Sequence, residues 1–321
     1  MRASGLCQIY LPFISVGYRR GRENVPMAKR CVVVICAVMA AGVPAAASKA
    51  SQADSAPACK PAGSMMRIAE LPEASGLVAS RMTPGRLWAH NDSGKPEIVA
   101  LDAKGTVTGH VAISGAALED WEAMAPGACE KGACLYIGDI GDNDGKRSEI
   151  IIYRVPEPAK PGGSAQVDGV FRASYPDGAH DAEALLAAPD GTLYIVTKGD
   201  TGHIALYRFP RVLRAGSTMN LERVGAPLSK GEPAQNARIT DGAVSSDGQW
   251  VVLRTRAALI FYRAAEFLKG DFHEARSVDL KPLGEPQGEA VAFGPSNTLY
   301  VAGEGGGKSQ PGTLSVLSCA R

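Results

Sequence analysis

The sequence predicts an all-β chain folded as a five-bladed β-propeller with four-stranded antiparallel blades, and three observations lead there. A pentad ending in a small and then an apolar residue, with acidic or other polar residues before them, recurs at residues 73–77, 120–124, 181–185, 240–244 and 287–291. Its last residues, Leu77, Met124, Leu185, Val244 and Val291, are spaced 47, 61, 59 and 47 positions apart, which suits propeller blades or helical arrays. After each pentad come a turn and then aromatic and β-branched runs too short for helices, which decides for strands.

Taken in order, the pentad opens the first strand of each unit. A turn rich in Gly, Pro, Asp and Ser follows it, as in Pro189-Asp190-Gly191 and Ser246-Asp247-Gly248, residues that favour tight reversals. The second strand is an apolar run at residues 87–90, 135–138, 193–196, 250–253 and 299–302. After a polar loop the third strand lies at residues 97–101, 150–154, 203–207, 259–263 and 313–317, and a weaker fourth at 107–113, 170–173, 221–224 and 276–280. The last unit lacks a fourth strand. The run at residues 66–71 is expected to supply it beside 313–317, closing the ring from the N-terminus. The two long steps leave room for a degenerate sixth blade.

The ends and the composition set bounds. Residues 1–26 read as an upstream extension, and 27–47 as a signal peptide: Lys29-Arg30, an apolar stretch from Cys31 to Val43, then Ala45-Ala46-Ala47. That stretch is shorter than the ~20 residues of a membrane helix, so no span is expected in the mature chain. Residues 48–63 read as a linker, and 64–321 as the propeller. A net charge of +1 gives no long-range pull on nucleic acid. A secreted or periplasmic monomer is expected. Past the signal region the cysteines are Cys59, Cys129, Cys134 and Cys319, an even set that suits an oxidising compartment. Cys129 and Cys134 flank a hairpin and are expected to pair, which leaves Cys59 with Cys319 across the closure. A zinc site at Cys129 and Cys134 is the competing reading, weakened by the lack of a second close-spaced ligand pair.

In a propeller the pentads and the loops between second and third strands open on one face. The pentad column then carries Ser75, Glu122, Glu183, Gly242 and Glu289 around the axis, with Glu73, Asp120, Asp181, Thr240 and Gln287 in a second layer. Two like charges ~4 Å apart repel by about 4 kcal/mol at an effective dielectric of 20. Such a ring is protonated, solvated or neutralised by a cation. Oxygen-only donors favour calcium, with Ser75, Glu122, Glu183 and Glu289 as its expected ligands. A water-filled acidic mouth is the alternative. Above the ion, Lys198, Arg254 and Arg256 are candidates to bind phosphate or carboxylate, and Asp92 or Asp139 to activate water. The Asp139, Asp142, Asp144 run lacks EF-hand spacing and reads as a solvated turn. Residues 302–309 loosely match a phosphate loop, but Pro311-Gly312 and a strand follow where a helix is required. Ser75, His90 and Asp92 are the residue types of a hydrolase triad, but no nucleophile elbow is present; His90 reads as a loop or blade-packing residue.

Residues 119–125, 135–143, 181–185 and 287–290 resemble a group of secreted bacterial β-propeller proteins of WD40-like type, over residues 64–321. That resemblance implies the fold and no activity. More distantly the plan is similar to the calcium-activated apyrases, five-bladed nucleotidases with an axial calcium, through Ser75, Glu122, Glu183, Glu289 and the arginines above the pore; phytase-like propellers offer a similar analogy. Two functions are therefore expected: a calcium-binding module for a small ligand or a protein partner, and a metal-dependent phosphoesterase acting on a phosphorylated ligand.

Overall fold

The computed structural model describes residues 55–199, 204–228, 238–307 and 309–320; the segments read above as an upstream extension and a signal peptide lie outside them. Two short strands, β1 (Ala58–Pro61) and β2 (Met66–Ile68), precede the first blade, which is β3 (Ala74–Ala79), β4 (Arg86–Asn91), β5 (Glu97–Asp102) and β6 (Val107–Ser114). Blade two is β7 (Trp121–Ala128), β8 (Ala133–Asp139), β9 (Ile150–Pro156) and, beyond a short β10 (Gly163–Gln166), β11 (Gly169–Ser174). Blade three is β12 (Ala182–Ala187), β13 (Leu193–Thr197), β14 (Ile204–Arg208) and, beyond β15 (Thr218–Asn220), β16 (Glu222–Leu228). Blade four is β17 (Ile239–Val244), β18 (Trp250–Thr255), β19 (Ala258–Arg263), one turn of helix α1 (Ala264–Phe267) and β20 (Glu274–Asp279). Blade five is β21 (Gln287–Phe293), β22 (Thr298–Glu304) and β23 (Gly312–Ala320).

The five sheets are antiparallel between consecutive strands. Their innermost strands, β3, β7, β12, β17 and β21, contact one another in turn and then β3 again, so the ring is closed. Five apolar clusters fill it, one between each pair of neighbouring blades. Both faces of the inner strands of every blade are therefore buried, which is why those strands read as continuous apolar runs, while outer strands such as β6 and β20 have much of their surface exposed. In β4, Leu87 points into the space shared with blade five and Trp88 into the space shared with blade two. His90 is wholly buried, edge-on to Trp121 with centroids 5.5 Å apart; it packs blades one and two together.

The expected closure is present, with one strand more than the sequence suggested. Residues 58–61, read as linker, form β1 and pair with Cys319 and its neighbours, while β2 pairs with the start of the same strand β23. Cys59 lies directly opposite Cys319 and is disulfide-bonded to it. Cys129 and Cys134 form the second disulfide, across the β7–β8 turn. The long steps in the repeat hold no sixth blade. The connection before β11 sends β10 back to pair in parallel with β6, and the one before β16 sends β15 back to β11. Each insertion covers an edge that would otherwise expose unpaired backbone.

Candidate functional site

On every innermost strand the ladder skips one residue near its start, and the skipped residues are Ser75, Glu122, Glu183, Thr240 and Glu289. A bulge leaves its extra residue unpaired and re-aims the side chain; in five blades related by rotation it re-aims five side chains to one level. Four of them are the expected metal ligands. In blade four the sequence register pointed to Gly242, and the structure puts Thr240 there instead. Gly242 stands two places further along, away from the acidic mouth: a Cβ on it would meet Leu186 and Leu253 at 3.0 Å, and it lines the cavity at the other end of the innermost strands.

These side chains are buried, with Ser75, Glu122, Glu183, Thr240 and Glu289 all at 6% exposure or less. Glu122 lies within reach of Glu183, and Glu183 senses Glu289 from a non-adjacent blade, so carboxyls of three blades face one another across the axis. Lys198, at the end of β13, reaches into their midst. Its ammonium pairs with Glu183 and lies 3.1 Å from Asp181 Oδ2. Asp181 Oδ1 in turn accepts the Asp142 N–H at 2.7 Å. Thr240 Oγ1 donates to the Glu289 carbonyl at 2.9 Å, and Arg256 Nε stands 4.0 Å from Glu289 Oε1.

Burial pushes the carboxyls of Glu122, Glu183, Glu289 and Asp120 upward, and neighbouring acids add to the effect at Glu122, Glu183 and Asp120. Burial works against charge on Lys198 too, but Glu183, Asp181 and Glu122 outweigh it and raise the ammonium above its ordinary value. Higher in the mouth, Asp92 and Glu304 are pushed up to about 6, first by burial and then by neighbouring carboxylates, Glu73 foremost at Asp92 and Glu289 at Glu304. The acids Glu73, Asp92, Asp120, Glu122, Asp181, Glu183, Glu289 and Glu304 outnumber the cations that act on them, Lys198, Arg256, Arg254 beside Glu289 and Arg147 beside Asp120. The mouth therefore holds protons or takes up a cation.

Its oxygens do not yet close on one point. Among the described residues the one trio of Cys, His, Asp or Glu donors within 4.8 Å of each other is Cys129, Cys134 and Asp168, and those sulfurs are spent in a disulfide, which removes the zinc reading. The axial carboxylates instead stand around the Lys198 ammonium. As a donor set, buried carboxylate and hydroxyl oxygens suit a hard cation.

Of the candidates expected above the ion, Lys198, Arg256 and Asp92 are at the mouth, and Asp139 and Arg254 are not. Asp139 is 1% exposed and accepts the N–H groups of Glu119 and Asp120 and the Arg147 guanidinium at 2.8 Å. With both oxygens so engaged it ties down the start of β7. Arg254 is fully buried between blades four and five, where it bonds the Ala302 carbonyl at 2.7 Å and Glu285 Oε2 at 2.6 Å. Gly288 makes room for it: a Cβ there would lie 2.4 Å from Arg254 Nη2. Asp142 caps its own loop through the N–H groups of Lys146 and Arg147, the turn expected for that run, but Asp142 is buried where a solvated residue was expected. Thr240, expected in the second layer, stands in the axial column, and Glu304, not a candidate from the sequence, belongs to the mouth. Glu304 closes β22, and its one signal was the polar loop that follows it, which the repeat places on this face.

No family model and no curated protein matches the chain. Among solved structures it is similar to the PQQ-bound aldose sugar dehydrogenase from Streptomyces coelicolor, with a TM-score of 0.50 and 12% identity over 83% of this chain and 99% of that one. A putative oxidoreductase (glucose dehydrogenase) from Thermus thermophilus gives 0.44 and 13% over 81% and 100%. A gluconolactonase from Xanthomonas campestris gives 0.40 and 15% over 78% and 89%. At such identities the first of these likenesses is one of fold alone, and a fold does not fix an activity.

Proposed function

We propose that this chain is an exported β-propeller that binds a calcium ion at its pore mouth and presents that face to a small ligand or a protein partner. The observation that carries the reading is that Glu122, Glu183 and Glu289, buried on three innermost strands, face one another around the Lys198 ammonium with more carboxyls than cations among them. Calcium accepts 6–8 oxygens at about 2.3–2.6 Å and tolerates irregular geometry. Glu122, Glu183 and Glu289, with the Ser75 and Thr240 hydroxyls, would hold it once Lys198 swings aside, water completing the shell. Two disulfides are compatible with an oxidising compartment, and no helix among the described residues is long and apolar enough to cross a membrane.

A second reading, a calcium-dependent phosphoesterase, is favoured by Asp92. Its carboxyl is half-buried at the mouth and lifted to about 6, near the range in which a general base works at neutral pH. That reading has lost Asp139 and Arg254, which leaves Lys198 and Arg256 to meet a phosphate. The test follows thermal unfolding and phosphoester hydrolysis together while calcium is added and then removed with EDTA. Stabilisation without turnover supports the binding module. Calcium-dependent turnover that Asp92→Asn abolishes supports the esterase, and no response to calcium by either measure sinks both.

A further inference from the structure

The far ends of the same innermost strands enclose a cavity of about 510 Å³, within the range of small-molecule sites. We propose that it is a second binding site, for a small monocarboxylate with an apolar body, independent of the calcium reading. Its walls come from all five blades, with Leu77, Met124, Leu185 and Val291 at the neck. No acidic side chain lines it, and the charged groups that do are Arg81 and Arg86. The two ends of the axial channel thus have opposite character: acids on one face, apolar walls with guanidinium groups on the other.

The two arginines are not equivalent. Arg86 is committed, since its Nη1 donates to the Ala159 carbonyl at 3.1 Å and its guanidinium lies over the Trp88 ring. Arg81 is hydrogen-bonded only through its backbone, whose N–H donates to Glu157 Oε2 at 3.1 Å, while its guanidinium feels the Glu157 charge without a hydrogen bond to it. That carboxylate also receives Ser80 Oγ and, at 3.1 Å, Trp88 Nε1, so its acceptor capacity is largely used. The Arg81 guanidinium makes no hydrogen bond among the described residues. It is left as a planar fork at the rim, suited to gripping one carboxylate through two parallel bonds. Beside it on the same turn, Met82 is one of the two large hydrophobic residues exposed in the described structure, and its flexible thioether can fold over an apolar ligand. A fully hydrated polar anion would gain nothing from the apolar walls. A neutral apolar molecule would leave the guanidinium idle.

The experiment is a calorimetric titration of the full chain with decanoate and with decan-1-ol, a probe of the same length lacking the charge. Decanoate is expected to bind saturably at one per chain, at least fivefold more tightly than the alcohol. Arg81→Gln should weaken decanoate about tenfold and leave the alcohol unchanged. Ala187→Trp and, separately, Ala79→Trp fill the cavity from two different blades and should abolish both, with thermal unfolding confirming that at least one of them folds. Absence of saturable decanoate binding overturns the proposal. So does equal binding of the alcohol, or binding that survives a folded cavity-filling variant. Calcium should not alter any of these results, and failure here leaves the pore mouth untouched.

Discussion

Lys198→Met removes the built-in counter-ion of the pore mouth while keeping much of the side-chain volume. The ammonium has 13% of its side-chain surface exposed, against 5% for both Asp181 and Glu183. At 3.1 Å and an effective dielectric of 20, the Asp181 contact alone corresponds to about 5 kcal/mol of attraction, from which desolvation of both partners must be subtracted. Breaking a buried pair by removing one partner typically costs about 3–5 kcal/mol. The acids can escape part of that by taking up a proton, so about 3 kcal/mol is expected in EDTA at neutral pH, or a fall in Tm of roughly 6–12 °C for a domain of this size. Calcium should reverse the order. The wild type must first displace its lysine, whereas the variant offers the same carboxylates without a competitor. Thermal unfolding in EDTA and over a calcium series measures both effects. Calcium should raise the Tm of Lys198→Met by more than that of the wild type. An unchanged Tm in EDTA, or equal calcium shifts for the two proteins, would refute the reasoning.

Further outcomes follow from the same geometry. Cys59→Ser opens a closed loop of 260 residues in sequence separation; chain entropy sets its cost at up to about 5 kcal/mol, against about 2 for Cys129→Ser, and denaturant unfolding under oxidising conditions should rank them so. Gly288→Ala drives a Cβ into Arg254 and should destabilise by about 1–3 kcal/mol, whereas Gly307→Ala, in open space, should lie within about 0.5 kcal/mol of the wild type. For Asp92 the folded carboxyl is raised above its unfolded value. It favours folding while both states are protonated, and that contribution is lost as pH rises through about 6. The stability of Asp92→Asn relative to wild type, measured by denaturant unfolding without metal, should therefore grow from pH 4 to pH 7. A flat difference would count against the acidic surroundings assigned to Asp92.

The blades were legible because their inner strands are buried on both faces. Runs such as Leu193, Tyr194, Ile195 and Val196 leave no other reading, and a spare N-terminal strand beside two spare cysteines marked the closure. The insertions β10 and β15 were not legible. They are short, mostly polar segments whose pairing serves a neighbouring blade's edge, so neither hydrophobicity nor periodicity reports them. Four of the five axial positions read from the pentad stand at the skipped residues, for a reason the sequence does not display. The bulge aims its residues at the axis, and in blade four it falls two places earlier than the pentad suggests, exchanging Gly242 for Thr240. Arg254 and Arg256 were expected on one side because alternate residues of a strand share a face. But β18 ends at Thr255, so Arg254 follows the pleat into the blade interior while Arg256 lies beyond the strand, exposed at the mouth.

The central claim is that buried carboxylates from three blades form one cation site. Calorimetric titration of metal-free protein with calcium tests it most directly, using wild type beside Glu122→Gln, Glu183→Gln and Glu289→Gln. One ion per chain, with affinity lowered at least tenfold by each substitution, is the predicted result. Absence of binding by the wild type, or binding indifferent to all three substitutions, would contradict it.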